Sequence, residues 1–266
     1  MVVTGAMNLP TAALVAARYV EDVRAVALSP GQAFDLEWLP DGRTLLLFRA
    51  REGGREGGVW VAGPRTRALI KSKTGLARTL ILRFRPGWSV PLLGVAANEL
   101  TDRIAPLEDV WGRAGRDLCG DLLGATSRAN AMDSIARALG RRAAGHTFEV
   151  ASAQLARRAV RLLEGGEVRV ESVADRLGVT ARHLRRAFTE NVGIGPKEFA
   201  RTVRLQRALR MAATSGDWAR IAADVGYYDQ AHLIADFRQL VGLTPGAFLK
   251  RAGSRTSQAR PDRRTG

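Results

Sequence analysis

The feature that most constrains this chain is a stretch that nearly repeats itself. Val173-Ala174-Asp175-Arg176-Leu177-Gly178 returns as Ile221-Ala222-Ala223-Asp224-Val225-Gly226, and His183, Leu184, Phe188, Gly193, Pro196 and Phe199 return as His232, Leu233, Phe237, Gly242, Pro245 and Phe248. The offset is 48 residues up to the glycine and 49 after it, so the second copy has one extra turn residue, Tyr227-Tyr228-Asp229 standing where the first has Val179-Thr180. Each copy reads as a short helix, a turn opened by glycine where a left-handed backbone is cheapest, and a second helix. This is helix-turn-helix spacing.

Helical periodicity assigns the faces of the second helix in each unit. Ala181, Ala187 and Phe188 share a side with Leu184, while Arg182, Arg185, Arg186 and Thr189 point away. A solvated helix face is the bland explanation of one such arginine cluster, and duplication of the whole unit argues against it. Between the units, Pro196 opens a helix at a position where its missing N–H is not needed, and Phe199, Val203, Leu205, Ala208, Leu209 and Ala212 supply an apolar side that ends near Ser215-Gly216. A connector of about 18 residues spans roughly 27 Å, comparable with the roughly 34 Å between successive major-groove turns on one face of a duplex.

Ala174-Asp175-Arg176-Leu177-Gly178-Val179, Phe188, Gly193-Ile194-Gly195-Pro196-Lys197, Arg204-Leu205-Gln206-Arg207-Ala208, Ile221-Ala222, Gly226-Tyr227, Asp229-Gln230 and Phe237-Arg238 together resemble the AraC/XylS-type transcription regulators, over about residues 150 to 250. The resemblance implies two helix-turn-helix units on a long helix and sequence-specific binding at promoters. The residues expected to face DNA are Thr180, Arg182, His183, Arg185, Arg186 and Thr189 in the first unit, and Tyr228, Gln230, Ala231, His232, Ala235, Arg238 and Gln239 in the second. Ala231, Leu233 and Ala235 depart from the family's usual serine, aromatic and arginine. Arg169 stands where a capping hydroxyl is usual, whereas Asp217 in the second copy can cap. Double-stranded promoter DNA is the implied partner, with RNA polymerase, an unknown small-molecule effector and a homodimer as further candidates.

The chain has 266 residues and a formal net charge of +15, with the basic excess in both halves, so long-range attraction to a polyanion and a steep salt dependence are expected. No run of about 18 apolar residues occurs, and residues 11–17 are apolar but short, without a basic lead or cleavage site. The expectation is therefore a cytoplasmic protein with no signal peptide and no membrane contact. The lone Cys119 cannot form an internal disulfide and reads as a buried spectator thiol.

The fold class expected is α+β. An N-terminal antiparallel β sandwich or barrel-like sensor domain, β-rich to about residue 87 and helical over 88–142, precedes an all-α domain at 146–250 and a disordered basic tail at 251–266. Phe34, Leu36 and Trp38 alternate before the turn Pro40-Asp41-Gly42 and the run Thr44–Phe48, which predicts a hairpin of two strands. Arg51 to Gly58 is a small glycine-rich repeat with nothing apolar to bury, hence an exposed tip, and it lacks the lysine and hydroxyl of a phosphate loop. Val59-Trp60-Val61 and Ala68-Leu69-Ile70 resume strand character, and Leu80, Leu82 and Phe84 share one face of a further strand.

Leu107, Val110, Trp111, Ala114, Leu118 and Leu122 fall at helical spacing, as do Met132, Ile135, Ala136 and Leu139. In the resembling family a helical hairpin at this place often joins protomers, and packing within one chain explains the stripe equally well. Arg141 to Gly145 reads as the interdomain link, and Ser152 as the cap of the next helix. No histidine precedes His146, so no cupin-type metal site is expected, and neither a cofactor loop nor a paired nucleophile and base is present. The reading is a regulator and not an enzyme, with no cofactor and no metal. The alternatives are an N-terminal small-molecule enzyme or a pure oligomerisation module.

Overall fold

The computed structural model describes residues 17–145, 150–167, 169–212 and 215–258. Among the described residues the N-terminal part has seven strands, six before the first helix and one after it: β1 (Val20–Ala27), β2 (Phe34–Trp38), β3 (Leu45–Arg51), β4 (Gly57–Ala62), β5 (Leu69–Lys73), β6 (Leu76–Phe84) and β7 (Ile104–Pro106). Five form an antiparallel sheet in the order β1-β6-β3-β4-β7, and β2 pairs with β5 in a second sheet. The α+β class is as expected, with an antiparallel two-sheet domain ahead of an all-helical one.

Strand β3 is almost continuously apolar because both of its faces are covered. Leu46, Phe48 and Ala50 face a core shared with helices, while Leu45 packs with Leu36 and Trp38 of the second sheet. Strand β6 contributes Leu80, Leu82 and Phe84 to the helix-side core, the alternation its sequence shows. Helices α1 (Val90–Leu93), α2 (Leu107–Trp111), α3 (Arg113–Gly124) and α4 (Arg128–Ala144) cover that face. Leu118, Leu122, Ile135 and Leu139 lie in the same core as the strands, so the apolar stripe of this helical pair is consumed within one chain.

Several expectations are corrected. Strands β2 and β3 do not form a hairpin with one another, because Pro40-Asp41-Gly42 carries the chain from one sheet to the other. A two-residue-period pattern cannot tell a hairpin from a strand that changes sheet. The region after Trp88 is not wholly helical, since β7 pairs with β4 through Ile104–Pro106. The helix read across 107–122 breaks at Gly112, whose φ of +59° no helix tolerates. Arg141 to Ala144 continue α4 and are not a link; residues 146–149 lie outside those described.

The C-terminal domain is α5 (Ala151–Glu164), α6 (Val170–Leu177), α7 (Ala181–Val192), α8 (Pro196–Ala212), α9 (Trp218–Asp224), α10 (Gln230–Val241) and α11 (Pro245–Gln258). Ser152 does not cap α5. It sits in the first turn, where its hydroxyl accepts from Asn191 Nδ2 at 3.4 Å. Helix α11 runs to Gln258, so the basic stretch expected to be disordered from residue 251 is helical to that point, and 259–266 lie outside the described residues.

The two domains pack directly. Gln206 Nε2 donates to the carbonyl of Pro40 at 2.8 Å, Thr101 Oγ1 donates to the carbonyl of Gly193 at 2.6 Å, and the Ala68 amide donates to the carbonyl of Leu240 at 2.7 Å. Arg43 is ion-paired with Glu21 and lies 3.9 Å from Glu164. Burial pushes the Asp41 carboxyl up, opposed by the charges of Arg43 and Arg83. Gly42, at φ +69°, has no room for a side chain, because a Cβ there would fall 2.5 Å from the Phe199 ring. Gly31→Ala, at φ +72° with open space around it, should lose only the left-handed backbone term of about 1 to 2 kcal/mol. Gly42→Ala should lose a further amount of about 1 to 3 kcal/mol from overpacking. Urea denaturation of the two variants checks this, and equal losses would show that Gly42 is not a contact point between the domains.

Candidate nucleic-acid interface

Each helix-turn-helix unit is built by capping and burial at matching positions. In the first, α6 ends on Gly178 at φ +68°, and α7 begins with Thr180, whose Oγ1 accepts from the His183 amide at 3.2 Å. In the second, the turn passes through Gly226 at φ +79°, and Asp229 accepts from the His232 amide at 2.7 Å. Arg169 makes no side-chain cap on α6, whereas Asp217 accepts from the Arg220 amide at 3.0 Å and caps α9.

Leu184, Ala187 and Phe188 on α7 and Leu233 and Phe237 on α10 are buried, the two phenylalanines completely. Phe188 meets Phe199 edge to face with ring centres 5.4 Å apart, and Phe237 meets Phe248 at 5.7 Å and Trp218 at 6.3 Å. With those side chains fixed inward, the opposite face of each helix is left to solvent. Arg182, His183, Arg185 and Arg186 are exposed on α7, with Thr189 half-buried. On the second unit Tyr228, Gln230, Ala231, His232, Ala235, Arg238 and Gln239 are exposed, Tyr228 to 92%. The structure therefore gathers the expected residues on two helix faces and their preceding turns.

Their side chains are not equally free. Arg185 is ion-paired with Glu171 at 2.6 Å and Arg186 with Glu190 at 2.9 Å, both on the surface, and hydrogen bonding to Glu190 pushes the Arg186 guanidinium up. Such exposed pairs contribute little to stability and leave both guanidinium groups accessible to solvent. Arg182 has no ion-pair partner among the described residues. Thr180 is engaged as a cap. His232 packs edge-on against Tyr227 at 5.2 Å, and Gln239 accepts a hydrogen bond from Arg201.

A polar clamp that the sequence did not disclose lies behind the second helix. Asp236, buried, accepts from Arg201 of α8 and from the Tyr227 hydroxyl at 2.8 Å, while the Arg204 guanidinium stands 4.9 Å over the Tyr227 ring. Burial and the Asp236 carboxylate together push the Tyr227 phenol well above its ordinary value, so it stays a donor throughout the physiological range. The signal was present as a carboxylate between Leu233 and Phe237 on the apolar side of the helix. Its counterpart in the first unit, Ala187, has no such role.

Two such units joined by one helix define a double helix-turn-helix protein. Residues 173–251 match a family described as a helix-turn-helix domain, and residues 9–106 match one described only as a domain of unknown function, DUF6597. The HTH-type transcriptional regulator GlxA of Rhizobium meliloti (strain 1021) is 35% identical over 100 residues, covering 35% of this chain and 31% of that protein, so the chain spans about a third of that relative's length. Among solved structures, ToxT from Vibrio cholerae O395 is 8% identical at a TM-score of 0.43, over 86% of this chain and 96% of that one. An unsaturated fatty acid bound ToxT from Vibrio cholerae strain SCE256 is 10% identical at 0.44, over 87% and 95%. The AraC-like transcriptional activator CuxR is 16% identical at 0.22, over 76% and 79%. Residues 173–251 are thus a helix-turn-helix domain, in line with the resemblance to AraC/XylS-type regulators that the sequence carries.

Phe188→Ala and Phe237→Ala should each destabilise by about 3 to 5 kcal/mol, since both rings are fully enclosed. Tyr227→Phe, which removes one hydrogen bond to a charged acceptor, should lose about 1.5 to 3 kcal/mol. Chemical denaturation of the three variants checks the order, and a neutral Tyr227→Phe would remove the clamp from the account.

Proposed function

We propose that this chain is a sequence-specific regulator of transcription whose two helix-turn-helix units enter adjacent major grooves of one duplex. The carrying observation is the pair of capped, inward-anchored helices whose free faces bear the residues suited to base edges. Helix α8, at about 1.5 Å per residue over Pro196–Ala212, is of the length that would set those faces roughly one helical turn apart. The net charge of +15 supplies the sequence-independent attraction. Among the described residues no group of three or more His, Cys, Asp and Glu comes together, and no helix is long and apolar enough to cross a membrane.

For the N-terminal domain, sensing of a small molecule is favoured over a purely oligomeric role. The helical stripe that would join protomers is already buried against β3 and β6, while a cleft of about 580 Å³ remains beside the two sheets. A second protomer and RNA polymerase remain partners by family resemblance alone.

The two units should contribute unequally. Arg182 and Arg186 on α7 correspond to Ala231 and Ala235 on α10, so the first helix can grip guanine with a bidentate arginine and the second offers contact with a thymine methyl. Arg182→Ala should relax base preference in one half-site by about 1 to 3 kcal/mol, and Arg186→Ala by less, because its guanidinium must first leave Glu190. Ala231→Gly and Ala235→Gly should leave preference almost unchanged. Selection from randomised duplexes at fixed salt reads this directly. Sharper preference under α10, untouched by either arginine substitution, would overturn the asymmetry.

A further inference from the structure

The cleft beside the sheets is built around a charge that none of the described residues balances. It is lined by Arg49, Arg51, Glu56, Trp60, Lys73 and Leu76, with glycines 57 and 75 and Thr74 completing the wall. Arg49 lies on β3, on the face turned from the helices, because Phe48 and Ala50 on either side belong to the helix-side core. Its register partners are Thr79 on β6 and Gly58 on β4. A Cβ on Gly58 would fall 2.6 Å from the Trp60 ring, so the indole lies across the glycine that pairs with Arg49, and both side chains line the same cleft.

Arg49 is half-buried, and its Nε has no hydrogen-bond partner among the described residues. Burial pulls its pKa below the usual guanidinium value, and no neighbouring carboxylate acts against that. Thr79 beside it is fully buried with Oγ1 unpartnered among the described residues, and so is Nε1 of Trp38 on β2, which shares a core cluster with Leu45 of β3. Unpaired buried polar groups are destabilising, and those a fold retains call for a role. Leu45 and Leu47 occupy the same face of β3, so an apolar side chain at position 49 would satisfy packing. Among the described residues lining the cleft the acid is Glu56, which is exposed and lies 4.0 Å from Arg51.

We propose that this cleft binds a small organic carboxylate, its carboxylate received by the Arg49 guanidinium and its apolar or aromatic body laid on Trp60. A single planar fork matches a monoanionic carboxylate in two-point geometry, and Arg51 and Lys73 at the rim draw the anion in. This deepens, and rests on, the reading of the N-terminal domain as a sensor.

The test uses the full chain with phenylacetate and hexanoate as probes and their neutral amides as controls, followed by thermal melting and calorimetry. At saturation at least one carboxylate should raise the melting temperature by about 2 to 4 °C while its amide does not. Arg49→Met should abolish that rise and, without probe, melt at or above the wild-type temperature. Arg49→Lys, which keeps charge but loses the fork, should retain only part of the rise. The proposal is overturned if neither carboxylate outperforms its amide, if the rise survives Arg49→Met, or if Arg49→Met lowers the melting temperature without probe, which would make the arginine structural. Binding that leaves DNA affinity unchanged would keep the site and remove only the sensing role.

Discussion

Burial of helix α8 on several sides is the constraint on which the rest of the C-terminal domain depends. Phe199 and Ala200 belong to the core of the first unit, Leu205 joins Phe237 and Leu240, and Ala208 and Ala212 pack with Ile221 and Leu233. One helix therefore supplies a side of each core described in the domain, and neither α7 nor α10 can move without disturbing it. The N-terminal domain rests on the same helix through Gly42 against Phe199 and Pro40 against Gln206. Close packing makes such a shared element bistable or rigid and leaves little room for gradual adjustment.

The two units reach the same geometry with different chemistry. Aromatic packing of Phe188 on Phe199 sets α7, and the α10 helix adds to its aromatic cluster a buried carboxylate held by Arg201 and Tyr227. A buried charged network is a weak source of net stability but a strong source of directional fixing, because it tolerates one arrangement of its donors. That suits a helix whose exposed face is poor in arginine and relies on placement.

Much of this was legible in the sequence for identifiable reasons. The duplicated pattern of glycine, leucine and phenylalanine has a physical cause in each copy, so the helix-turn-helix units and the inward set Leu184, Phe188, Leu233 and Phe237 could be read from spacing alone. The N-terminal strands could be recognised from alternation and turns, but not their partners, since the turn Pro40-Asp41-Gly42, where the chain changes sheet, packs on α8 far along the chain. Asp236 and Arg49 escaped for a related reason. A single polar residue among apolar neighbours reads as a surface position until the third dimension encloses it.

The central claim is that two units of one chain sit on one face of the duplex. Hydroxyl-radical footprinting of the full protein on a duplex taken from the binding selection tests it most directly. The account predicts two protected patches on the same face, about 10 to 10.5 base pairs apart centre to centre. A single patch, or two on opposite faces, would contradict it.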